Sequence, residues 1–217
     1  MRDIFHEELD AINGGLIQMS GLVREALSSA TRSLLTSDLA LAEKVIAADS
    51  AIDQIYHDLD SRTINLIARQ QPVASDLRNL VSTLRISADL ERMGDLAHHI
   101  AKLARMRYPN CAVPEELQAL VTAMDKEGAA ISEKMTTVIQ YGDTTRALEV
   151  DKDDDEMDQL HRQLIAALLD DSWEHGIETA IDMTLLGRYY ERFSDHAVSI
   201  AHRIYYVVTG EYAAEQI

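Results

Sequence analysis

Glu91-Arg92-Met93-Gly94-Asp95 returns one hundred residues later as Glu191-Arg192-Phe193-Ser194-Asp195, and Ala97, Ile100 and Ala101 return with it as Ala197, Ile200 and Ala201. Further upstream the matches run at a spacing of 105: Asp38 meets Asp143, Val45 meets Val150, Asp49 meets Asp154, and Ile52-Asp53-Gln54-Ile55 meets Met157-Asp158-Gln159-Leu160. The same spacing pairs Ile12, Leu16 and Met19 with Leu117, Val121 and Met124. Recurrence on this scale marks a duplicated structural unit. The drop from 105 to 100 makes the first copy five residues longer near its second helix junction.

Each unit reads as three helices. In the first segment Phe5, Leu9, Ile12, Leu16, Met19, Val23, Leu27, Ala30 and Leu34 alternate steps of three and four, the stripe of a long amphipathic helix. A second segment follows Ser37-Asp38 with Leu41, Val45, Ala48, Ile52, Ile55, Leu59 and Leu66, and Gln70-Gln71-Pro72 breaks it. A third is expected from Ala74 to Arg107. Pro114 is placed to open a fourth, Gly142 stops that one, and Asp143 caps a fifth. The sixth is expected from about Ser172 to Thr209, with Gly210 ending it and Trp173 packing at its start, as Val73 would in the first copy. The predicted fold is all-α: two tandem three-helix bundles, over residues 1–108 and 113–212.

Composition agrees. Of 217 residues, 37 are Asp or Glu and 20 are Lys or Arg, a formal charge of -17, which disfavours a nucleic-acid partner. Three prolines and 5% aromatic residues are too few for a many-turned β-sandwich. The single Cys111 excludes a disulfide framework or a cysteine zinc module. Acids stand where a signal peptide needs a basic patch, and no run approaches the ~20 apolar residues of a membrane span. The expectation is a soluble, cytoplasmic protein.

What survives in both copies is a set of acid pairs four residues apart: Asp49/Asp53 with Glu91/Asp95, and Asp154/Asp158 with Glu191/Asp195. Such pairs share a helix face and repel one another at neutral pH, so arginines, solvent or a cation must compensate. Carboxylate oxygens suit hard cations, which leaves Mg, Ca, Mn, Fe and Zn open. On the third helix Leu77, Val81, Leu84 and Ala88 read as one stripe that Glu91 and Asp95 continue, so acids are expected where the helix meets its neighbours. His98, His161 and His202 lie on or near these faces, either as ligands or as bystanders. The run Asp151-Lys152-Asp153-Asp154-Asp155 reads mainly as solvated charge. No phosphate-binding loop, Cys-x-x-Cys or dinucleotide fingerprint is present.

These motifs resemble the PhoU family of bacterial phosphate-transport regulators. The resemblance rests on Gln70-Gln71-Pro72-Val73-Ala74-Ser75-Asp76-Leu77-Arg78, on Asp89-Leu90-Glu91-Arg92-Met93-Gly94-Asp95, on Tyr190-Glu191-Arg192-Phe193-Ser194-Asp195-His196-Ala197 and on the closing Tyr205-Tyr206-Val207-Val208-Thr209-Gly210-Glu211. Ser194 stands where the family usually has Gly, Tyr190 where Leu is usual, and His99 and Ser199 where Asn is common. The resemblance implies a cytoplasmic negative regulator of the phosphate-starvation response, without catalytic activity. It would link the ATPase of the phosphate transporter to a sensor histidine kinase, meeting the membrane only through those partners. It further implies multinuclear iron or zinc on Asp49, Asp53, Glu91, Asp95, Asp154, Asp158, Glu191 and Asp195, and a homodimer is a further expectation.

Two readings of different class therefore stand. One is a signalling adaptor whose exposed residues, such as Arg78 and Arg92, contact partners. The other is a di-metal carboxylate enzyme or iron store, which would need both copies to pool their ligands in one bundle.

Overall fold

A computed structural model describes residues 2–213, with side chains from Phe5 onward. Met1, where the first predicted unit begins, lies outside the described residues. Six helices follow in order, α1 (Arg2–Thr36), α2 (Leu39–Gln70), α3 (Ala74–Arg107), α4 (Glu115–Tyr141), α5 (Thr144–Leu168) and α6 (Gly176–Thr209), with no strand among the described residues. The boundaries follow local chemistry. Asp38 and Asp143 cap α2 and α5 with side-chain carboxylates that accept from Leu41 N and from Thr145 and Arg146 N. Gly142 and Gly210 end α4 and α6 in the left-handed region, at φ 63° and 82°.

Helices α1–α3 form one unit and α4–α6 the other, as the repeat requires. The units do not stand apart: α1 packs on α4, and α3 on α6, so one apolar core runs through both. The α1 stripe is buried as expected, with Met19, Val23, Leu27 and Ala30 sealed completely and Leu9 partly exposed. Across the junction of the copies, the hydroxyls of Thr31 on α1 and Tyr190 on α6 hydrogen-bond at 2.6 Å inside the core. Tyr190 thus earns its place through a polar tip that leucine lacks.

The α3 stripe differs from expectation. Leu77 and Val81 are 39% and 37% exposed, whereas Leu80, Thr83, Ile86, Leu90, Met93, Ala97 and Ile100 are buried. The reason is that α3 is enclosed by α1, α2 and α6 together. Such a helix buries a broad arc, and close neighbours place small residues there, so Ser82, Ser87 and Gly94 sit inside. Glu91 and Asp95 therefore lie on a half-exposed flank beside the core and do not replace core residues. Ala48 of the α2 stripe is exposed as well. Helix α6 begins at Gly176, later than Ser172. Trp173 packs ahead of it, its indole N–H donating to Gly176 O at 3.0 Å, while its counterpart Val73 is exposed.

Candidate functional site

The acid pairs come together, one cluster in each copy. In the first, burial pushes the Glu91 carboxyl above its ordinary range, helped by the charges of Asp95, Asp53 and Asp49 and opposed by Arg92. Asp49 and Asp53 of α2 and Asp95 of α3 thus all lie within electrostatic reach of Glu91. Arg92 Nη1 donates to Asp95 Oδ2 at 2.9 Å and its Nε lies 3.6 Å from Glu91 Oε2. His98 Nδ1 pairs with Asp49 Oδ2, and its Nε2 is buried without a hydrogen-bond partner. Gly94 permits the close approach of the helices here, because a Cβ would sit 3.1 Å from Ile52 Cδ1 and 3.7 Å from Asp49 Oδ1.

The second cluster is under greater electrostatic stress. Burial, then the charges of Asp195, Asp158, Glu191 and Asp151, push the Asp154 carboxyl up to about 7. Its Oδ1 is buried with no hydrogen-bond partner. Arg188 pairs with Glu191, and Arg162 reaches Asp158 at 3.4 Å. His202 turns to Asp151, its Nε2 3.0 Å from Oδ2. His161 packs beside Gly187, where a Cβ would meet its Cδ2 at 3.0 Å. Ser194, the counterpart of Gly94, is fully buried and its hydroxyl has no hydrogen-bond partner.

The run 151–155 is thus more than solvated charge, since Asp151 holds His202, Asp153 pairs with Lys134 at 2.6 Å and Asp154 is inside the cluster.

Four carboxylates per copy, with Glu91 raised above its ordinary range in the first and Asp154 pushed up to about 7 in the second, form a donor set whose chemistry fits a hard or borderline cation. Among the described residues, however, no three acids or histidines close up into a ready-made cage for one ion. Arg92, Arg188 and His98 supply compensating contacts instead. The charges acting on Glu91 and on Asp154 come in each case from the same copy. The pooled four-helix ligand set that a di-metal enzyme or iron store would need is therefore not what this fold assembles.

One polar group at the junction of the copies carried no warning in the sequence. Asp89 of α3 accepts from Arg203 Nε at 3.2 Å and Ser199 Oγ at 3.2 Å, and its Oδ1 lies 3.0 Å from His196 Nδ1, all three on α6. Burial tends to raise its carboxyl, but the His196 and Arg203 contacts prevail and hold it below the usual range. Only its place at the head of the stretch Asp89–Asp95 could have drawn notice, since its counterpart in the second copy is Tyr189. Arg78 is a second departure: it is half-buried, with its guanidinium 5.4 Å from the centre of the Tyr206 ring, and does not project as an open contact. Arg92 is 63% exposed but engaged with Glu91 and Asp95.

No helix among the described residues is long and apolar enough to cross a membrane. The PhoU domain model matches residues 16–104 and 121–204, one match in each copy. The phosphate-specific transport system accessory protein PhoU homolog 2 of Mycobacterium tuberculosis is 41% identical over 98% of this chain and 100% of its own length. The PhoU homolog of Rhizobium meliloti, likewise named a phosphate-specific transport system accessory protein, is 32% identical over 95% of this chain and 87% of its own. Two crystal structures superpose closely at 28% identity. PhoU from Pseudomonas aeruginosa gives a TM-score of 0.84 over 95% of this chain and 100% of that one. The phosphate transport system regulatory protein PhoU from Streptococcus pneumoniae gives 0.85 over 96% and 99%.

Proposed function

Because this chain belongs to the PhoU family, we propose that it is an accessory regulatory protein of phosphate transport that restrains the phosphate-starvation response, acting by contact and not by catalysis. The observation that carries the reading is the full-length match to phosphate-transport accessory proteins, with Glu-Arg-x-x-Asp at the same place in both copies. At the finer level it acts on the cytoplasmic side, between the transporter ATPase and a sensor histidine kinase. Such an adaptor must bind one state of its partner more tightly than another, since equal affinity shifts no equilibrium. A helical body with one continuous core and a net charge of -17 suits that task, because surface charge selects partners more than it adds affinity.

The two acid clusters hold iron or zinc in this reading, on Asp49, Asp53, Glu91 and Asp95 and on Asp154, Asp158, Glu191 and Asp195. A cation would offset the burial and the mutual repulsion that raise Asp154 and Glu91 and would tie α2 to α3 and α5 to α6. The metal's contribution is structural charge compensation. The adaptor role is tested by affinity purification of the tagged protein from cells grown with and without phosphate. The transporter ATPase and a histidine kinase should co-purify, in proportions that change with phosphate. Recovery of neither under both conditions would overturn it.

A further inference from the structure

The duplication provides an internal comparison that exposes a second site. Where α3 and α6 pack, each end of the junction combines the start of one copy's third helix with the end of the other's, so the junction has two equivalent ends. The spacing of 100 maps Ser199, His202, Arg203 and Tyr206 at one end onto His99, Lys102, Leu103 and Met106 at the other. A groove lies at each end, of about 540 Å³ beside Arg78, Arg85 and Arg203 and about 140 Å³ beside Lys102, Leu103 and Leu185.

The two ends differ in how their charge is met. At the small groove Arg107 is paired with two carboxylates, its Nε donating to Asp182 Oδ2 and its Nη1 to Glu178 Oε1, both at 2.6 Å. Those acids stand at the positions of Arg78 and Ser82 in the large groove, so one end carries two carboxylates where the other carries an arginine and a serine. Among the described residues neither Arg78 nor Arg85 has a carboxylate partner, and Arg78 Nε is buried with no hydrogen bond. Arg203 spends only its Nε on Asp89, at 3.2 Å.

Among the described residues three arginines and no carboxylate line the groove, with Asp89 paired to Arg203 and Asp151 to His202, in a chain whose total charge is -17. Gly210, at φ 82°, lets the guanidinium of Arg78 come close, since a Cβ there would lie 2.7 Å from Nη1. Ala74, in the first turn of α3, also lines the groove, and Val73 before it supplies no side-chain cap. That helix start therefore borders the groove, and its dipole favours an anion there, although the Asp76 N–H is already spent on Val73 O at 3.2 Å.

We propose that this groove binds a phosphate group, free or carried on a small molecule, with Arg78, Arg85 and Arg203 as its ligands. Guanidinium forks match the paired oxygens of a phosphate, and a helix N-terminus adds backbone donors. The groove is far larger than one bare anion needs, which leaves room for an attached body. The inference rests on the groove alone and stands or falls separately from the adaptor reading.

Isothermal titration of the full chain at low salt, with inorganic phosphate, AMP and adenosine as probes, tests it. Phosphate and AMP should bind and adenosine should not. AMP binding about tenfold tighter than phosphate assigns a carried phosphate, and equal binding assigns the free anion. Arg85 is exposed, so Arg85→Glu should keep the helical circular dichroism spectrum while weakening binding at least about tenfold. Lys102→Glu, in the small groove, should bind as the parent does. The proposal is overturned by no binding of phosphate or AMP up to about 10 mM, by adenosine binding as well as AMP, or by unchanged affinity in Arg85→Glu.

Discussion

Replacing Asp154 with Asn should stabilise the metal-free protein, the reverse of what most substitutions of a partly buried group do. Asp154 is raised from an ordinary 3.8 to about 7, by burial first and then by Asp195, Asp158, Glu191 and Asp151. Between these two values the folded chain binds a proton that the unfolded chain has released. Stability therefore falls as pH rises from about 4 to about 7 and stays low above that. At ~1.4 kcal/mol per pH unit the ceiling of the effect is ~4 kcal/mol. Asp154 keeps partial solvent contact, and screening lowers the working figure to ~1–2 kcal/mol. Asparagine holds the shape of the protonated acid without its charge, so it removes this cost. In chelator-treated protein at pH 8, Asp154→Asn should raise Tm by about 2–8 °C. The gain should shrink steadily toward pH 4, where both forms are neutral at this position. Thermal denaturation followed by circular dichroism at several pH values measures it. A variant equally or less stable at pH 8, or a gain independent of pH, would refute the idea that the cluster is held against its own repulsion.

Other expectations are simpler. Tyr190→Phe deletes the 2.6 Å bond to Thr31 inside the core and should cost ~1 kcal/mol in denaturant melts without changing helix content. Gly210→Ala forces a side chain into φ 82° and against Arg78, so it should cost ~1 kcal/mol or more and also weaken anion binding in the groove. If the clusters hold metal, protein purified without chelator should contain iron or zinc by elemental analysis, and replacing Glu91 and Asp95 together with Ala should remove roughly half of it. Unchanged metal content after replacing all eight acids would exclude them as ligands.

Much of this was legible because duplication and periodicity are properties of the chain itself. The two copies, Asp143 as a cap and Gly142 and Gly210 as stops are local signals, and the structure obeys them. The acid clusters could be read because both copies preserve them at helical spacing. The α3 face could not. Periodicity reports where bulky apolar residues lie, but a helix enclosed by three others buries Ser82, Ser87 and Gly94 and leaves Leu77 and Val81 at the rim of a groove. The Asp89 cluster and the Arg107 pairs were hidden for a different reason: they join residues 71 to 114 positions apart, and no spacing rule links them.

The central claim is that this chain restrains the response to phosphate starvation. The direct measurement is expression of phosphate-scavenging genes in phosphate-rich medium, in a strain lacking this protein and in the same strain carrying it again. The account predicts high expression in the deletion strain and repression on restoring the protein. Normal repression in the deletion strain would contradict it.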